Sequence, residues 1–84
     1  MSQRTLNTQQ ALEMMAEAFN EPVENLSPET PRDSIPGWDS MGALMLIAEL
    51  DERLGLELQA DVSREMKLVQ HVLDFLAAHG ALAP

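Results

Sequence analysis

Ser40 carries the most suggestive chemistry in this chain. It stands in the string Pro36-Gly37-Trp38-Asp39-Ser40-Met41-Gly42, where a turn opens into a run with helical spacing. A hydroxyl at a helix start, beside a carboxylate, is accessible to a modifying enzyme. The free N–H groups and dipole of a helix start also favour a phosphate attached there. Capping serines are common, so position alone is weakly specific. Ser40 with His71 or His79 would be the raw material of a hydrolase. However, Gly-x-Ser-x-Gly is absent, Trp38 stands where its first glycine belongs, and no strand precedes Ser40 to build the strained elbow. The acids are scattered and lack the loop spacing of a calcium site. With no cysteine, a thiolate nucleophile, a disulfide and a Cys-based metal site are all excluded.

One helix between the Pro36-Gly37 turn and Gly55, with Ser40 at its first turn, must position that hydroxyl. Asp39 or Ser40 can cap it, and Gly55 can close it in the left-handed conformation. At 100° per residue, Ala43, Leu46, Ile47, Leu50 and Leu54 fall on one side and face a core. Met41, Met45, Ala48 and Glu52 fall on the opposite side, with Glu49 and Asp51 on its flanks. Two methionines beside acids read either as an adaptable partner surface or as a patch covered by the rest of a small domain.

The rest of the chain reads as further helices around this one. Asn7 or Thr8 caps a first helix running to Phe19 or Asn20, with Ala11, Leu12, Met15, Ala18 and Phe19 inward and Pro22 as its stop. Residues 20–37 form a long connection whose prolines (Pro22, Pro28, Pro31 and Pro36) leave little room for regular helix. Val23, Leu26 and Ile35 anchor it, and Ser27–Thr30 can make one helical turn. Long loops in compact domains are often functional. Beyond Gly55, Leu58 packs inward from an extended link, Ala60–Met66 form a short helix carrying Val62 and Met66, and a last helix runs from Leu68 to His79. Its buried stripe is Val69, Val72, Leu73 and Leu76, with Leu68 and Phe75 at the edges and Gly80 as stop. Residues 1–6 and 81–84 are expected to be loose tails. The expected fold is all-α: one domain over residues 1–84, a small bundle of three main helices plus a short fourth.

The 84 residues carry a net charge of −9, which argues against nucleic acid and anionic lipid as partners. The acids crowd the first two thirds, so basic partners should approach there; general solubility is the plainer reading of the same charge. A chain this short buries one small core but not an enzyme-sized pocket with its walls. No stretch reaches the apolar length of a membrane span, and Met1-Ser2-Gln3-Arg4-Thr5 has no apolar run behind its charge. A cytoplasmic monomer is expected.

The order of helix, Pro-rich loop, Asp39-Ser40-Met41 and then Leu44-Met45-Leu46-Ile47-Ala48-Glu49-Leu50-Asp51-Glu52-Arg53-Leu54-Gly55 resembles the acyl carrier protein family, whose mark is Asp-Ser-Leu before an amphipathic acidic helix. The resemblance spans nearly the whole chain and is specific from Asp39 to Gly55. It implies that Ser40 bears a 4′-phosphopantetheine arm, added from coenzyme A by a phosphopantetheinyl transferase, and that the arm's thiol holds an acyl cargo as a thioester. It further implies partners that load and transfer acyl groups in fatty acid or polyketide biosynthesis. Their basic patches would dock on Asp39, Met41, Met45, Ala48, Glu49, Asp51 and Glu52. The chain itself would be a carrier and not an enzyme. Asp-Ser-Met-Gly is also similar to the start of this helix in D-alanyl carrier proteins, so an aminoacyl cargo is an alternative, as is an unmodified helical interaction domain. Asp39 leans away from peptidyl carriers, which often show Gly-Gly-His-Ser or Gly-Gly-Asp-Ser. Arg53 stands where carriers often hold an acid, and Lys67 where a capping Ser or Thr is usual. Trp38 either covers the loop and the top of the core or lies beside the arm. Gly42 is either tolerated near the helix start or leaves room for the arm.

Overall fold

The computed structural model describes residues 5–83. Its helices are α1 (Thr8–Phe19), α2 (Ser40–Leu54), α3 (Ala60–Glu65) and α4 (Val69–Ala78), with single 3-10 turns at Val23–Asn25 and Arg32–Ser34. Among the described residues there is no strand, and no helix is long and apolar enough to cross a membrane.

α1 begins at a reciprocal cap. The Asn7 side chain accepts from the Gln10 N–H at 2.8 Å, and the Gln10 side chain accepts from the Asn7 N–H at 3.0 Å. The helix ends at Phe19, as expected, before Pro22 is reached. Asn20 takes the left-handed conformation (φ 53°), and the Glu21 N–H folds back to the Ala16 carbonyl at 3.0 Å. The inward stripe holds every expected residue and also Met14, which is fully buried.

α1 packs against α2, and Leu46 and Leu50 of α2 are fully buried in the common core. The buried stripe of α2 is narrower than its helical phase suggests. Ala43, Ile47 and Leu54 are only half-buried at the core's edge, whereas Gly42 is buried. The core lies toward α1, on the side of Gly42 and Leu46, while Ala43 and Ile47 border a cleft on the α3 side.

The long connection is pinned by Leu26 and Ile35, both buried, with Val23 half-buried beside them. Ser27–Thr30 close a turn, held by the Thr30 N–H to the Ser27 carbonyl and the Ser27 N–H to the Thr30 hydroxyl. The connection then runs antiparallel to the start of α4. The Arg32 N–H donates to the Lys67 carbonyl at 2.8 Å, and the Thr30 and Pro28 carbonyls accept from Val69 and Gln70. Nδ1 of His71 accepts from the N–H groups of Lys67 (2.9 Å) and Leu68 (3.2 Å). The open N–H groups of α4 are thus satisfied without a Ser or Thr cap at Lys67.

α3 turns Ser63 inward and leaves Val62 exposed, and Met66 is buried just past its end. The α4 stripe is buried as expected, with Phe75 half-buried. The expectation of loose tails is corrected for Leu6 and for Ala81–Ala83. After Gly80, Ala81 enters the core, the Leu6 N–H donates to the Ala81 carbonyl at 2.9 Å, and the Ala83 N–H donates to the Leu6 carbonyl at 2.7 Å. Leu6 and Leu82 both pack against the core, which holds the two ends together. Residues 1–4 and 84 lie outside the described residues.

Candidate functional site

The approach to Ser40 is built by close backbone packing. A methyl group on Gly37 would fall 1.7 Å from the Phe19 carbonyl oxygen, and one on Gly42 would fall 1.9 Å from the Gly37 carbonyl oxygen. Only glycine at both positions lets the end of α1, the Pro36-Gly37 turn and the start of α2 approach so closely. The missing Gly42 side chain therefore makes room for the turn, on the face away from solvent. Trp38 is buried and stacks on Phe19 with ring centroids 4.7 Å apart and planes 15° apart, covering this end of the core.

Asp39, and not Ser40, is the cap of α2. Its carboxylate accepts from the Gly42 N–H at 2.9 Å. Ser40 follows as the first helical residue, exposed, and its hydroxyl makes no hydrogen bond to another described residue. The other described serines are less available. The Ser27 hydroxyl pairs with Thr30, Ser34 donates to the Pro31 carbonyl, and Ser63 is buried.

Ser40 also lines a cleft of about 260 Å³ between α2 and α3, with Ala43, Leu44 and Ile47 on one wall and Ala60, Ser63 and Arg64 on the other. Arg32 closes its end. The Arg32 guanidinium donates through Nε to the Trp38 carbonyl (3.3 Å) and through Nη1 to the Ser63 (3.2 Å) and Met66 (3.3 Å) carbonyls, and it lies 5.1 Å from the Trp38 ring centroid. One side chain thus ties the connection to the last carbonyls of α3. No His, Asp or Glu lines the cleft. His71 is engaged in capping α4, and His79 packs on Phe75 at 4.4 Å, so neither histidine is set against Ser40 as a base.

Outward from Ser40, α2 presents a bare apolar face. Met41 is 65% exposed, Leu44 59% and Met45 44%, with Ala48, Asp51 and Glu52 exposed beyond them. The helical phase assigned Met41 and Met45 to this face but passed over Leu44, although a spacing of four from Ser40 and three from Met41 puts it there. Glu49 stands apart from the other acids. Its half-buried side chain takes an ion pair from Arg53 at 2.7 Å, and Arg53 also reaches Glu17 of α1 at 2.8 Å. Glu49 is therefore spent on the joint between α1 and α2.

No protein-family model matches this chain. No curated protein matches it either. The site is thus read from its own geometry. Arg32, Leu44, Ser63 and Arg64 are among the residues that sequence reasoning left unassigned there. For Arg32, Ser63 and Arg64 no local signal existed, because their placement arises from the packing of the connection and α3 beside α2.

Proposed function

We infer that this chain is an acyl carrier whose Ser40 bears a 4′-phosphopantetheine arm. The observation that carries this reading is the placement of Ser40: an exposed, unengaged hydroxyl on the first turn of a rigidly held helix, opening onto a cleft with no base in its lining. A serine so placed suits modification by another enzyme better than catalysis of its own. In the modification, the Ser40 oxygen bonds to the β-phosphorus of coenzyme A and the bond to the 3′,5′-bisphosphoadenosine leaving group breaks. The hydroxyl proton passes to a base supplied by the transferase. The free N–H groups at the start of α2 favour the new phosphodiester. Once attached, the arm supplies a thiol that holds the cargo as an activated thioester. The protein's own contribution is tethering, which raises the cargo's local concentration at each partner.

We prefer acyl over aminoacyl cargo because the segment after Leu58 does not follow the D-alanyl branch, although Asp39-Ser40-Met41-Gly42 is similar to both. The exposed Met41, Leu44 and Met45 would serve docking in a carrier and equally in an unmodified interaction domain. Intact mass decides between them. Incubation with a phosphopantetheinyl transferase and coenzyme A should add one arm to the wild type and none to Ser40→Ala, with the circular dichroism of the two proteins equal. Modification of the mutant would overturn the assignment.

A further inference from the structure

The cleft beside Ser40 is charged in the opposite sense to the protein. The chain carries −9 overall, yet both ionisable side chains lining this cleft are arginines. Among the described residues neither Arg32 nor Arg64 has a carboxylate within ion-pair distance, whereas Arg53 is paired with Glu17 and Glu49. Arg32 is half-buried, and its three hydrogen bonds through Nε and Nη1 all go to neutral carbonyls while its ring contact is with neutral Trp38, so no anion balances its charge. A partly desolvated cation without a counter-charge is a standing attraction for an anion. Ser63 adds a second, independent mark. It lines the same cleft, is 2% exposed, and its buried hydroxyl has no hydrogen-bond partner.

We propose that Arg32 and Arg64 form an anion seat that receives the phosphodiester of the arm on Ser40. This inference rests on the carrier reading above. The phosphodiester is the anion of choice because it is bonded to the Ser40 oxygen at the mouth of the same cleft, so tethering holds it there. A carboxylate on a cargo would lie at the far end of the arm. Guanidinium groups match phosphate oxygens in shape and charge. The apolar wall of Ala43, Leu44 and Ile47 then lies beside the first carbons of the arm, so the seat sets the direction in which the arm leaves the helix. The consequence is an arm with a fixed root and a mobile tip.

The test uses the full chain in apo and arm-bearing forms, with Arg64→Gln as the main variant. Arg64 is exposed and makes none of the bonds that brace α3, so its loss should leave the apo protein folded. Lys67→Gln is the control, removing an equal charge outside the cleft lining. Attachment should raise the melting temperature of the wild type by roughly 2–4 °C. Arg64→Gln should lose about half or more of that rise, and its phosphorus resonance should move and sharpen relative to wild type. Lys67→Gln should behave as wild type in both readouts. Equal melting shifts and superimposable phosphorus spectra for wild type and Arg64→Gln overturn the seat while leaving the carrier reading intact. So does a Lys67→Gln effect as large as that of Arg64→Gln. If no form gains the mass of the arm, the seat and the carrier reading fall together.

Discussion

Two opposing effects meet at Gly42. Alanine is the better helix former by about 1 kcal/mol, but its methyl group would overlap the Gly37 carbonyl oxygen and crowd a Phe19 ring carbon at 3.2 Å. The obstacle at Gly37 is backbone, which cannot swing aside as a side chain can, and Gly37 is itself wedged against the Phe19 carbonyl. Overpacking typically costs about 1–3 kcal/mol, and an overlap this deep with backbone belongs in the upper half of that range, so Gly42→Ala should be net destabilising by roughly 1–2 kcal/mol. Urea unfolding measures it, and a midpoint equal to or above wild type would show that the turn yields. Gly42 was legible as an unusual residue inside a helical run, but the reason for it was not. That reason is a contact with a turn five residues earlier in the chain and with the end of another helix.

At the scale of elements, α4 rests on an unusual cap. Its two preceding N–H groups point at His71 Nδ1, and its first two helical N–H groups point at carbonyls of the connection. Removing the ring acceptor in His71→Ala should cost about 0.5–2 kcal/mol, the range for lost N-terminal caps. His71→Gln should recover much of it, since a side-chain acceptor at this position serves the same N–H groups. Thermal unfolding of the three proteins checks the ordering, and equal stability of His71→Ala and wild type would remove the cap from the account. For α2, the proposed docking role splits into charge and packing. Asp51→Lys with Glu52→Lys should slow association with the transferase by roughly tenfold at low salt and less at high salt. Met45→Ala should leave that salt dependence alone and speed dissociation. All three positions are exposed, so the fold should be unaffected. Stopped-flow binding across a salt series reads both terms, and association unchanged at every salt concentration would reduce the acids to a solubility role. Glu49 is omitted from the pair because reversing it would break the Arg53 bridge to α1 and confuse docking with stability.

At the scale of the molecule, the two ends of the described chain are part of the fold. Removing residues 81–84 deletes a buried alanine, the half-buried Leu82 and the hydrogen bonds from Leu6 to Ala81 and from Ala83 to Leu6. The expected loss is about 1–3 kcal/mol, from the net worth of two backbone bonds and one partly buried apolar side chain. A truncated protein with an unchanged urea midpoint would restore the loose-tail picture.

Local order along the chain was written into the residues themselves. Apolar spacing marked α1, α2 and α4. Gly55 and Gly80 marked their stops, and Asp39-Ser40 marked the start of α2, because periodicity and capping depend on residues within a turn or two of one another. The inward turn of Leu58 and the anchoring by Leu26 and Ile35 were legible for a related reason: an isolated apolar residue in a polar stretch has little else to do. What needed the tertiary structure was everything set by one element arriving beside another. Helical phase put Ile47 in the core, but only the position of α3 leaves it at the edge of a cleft. The sequence listed Arg32, Ser63 and Arg64 with no link to Ser40. Only the packing of the connection against α3 sets all of them around one opening, because their separation along the chain is bridged by hydrogen bonds that no local pattern encodes.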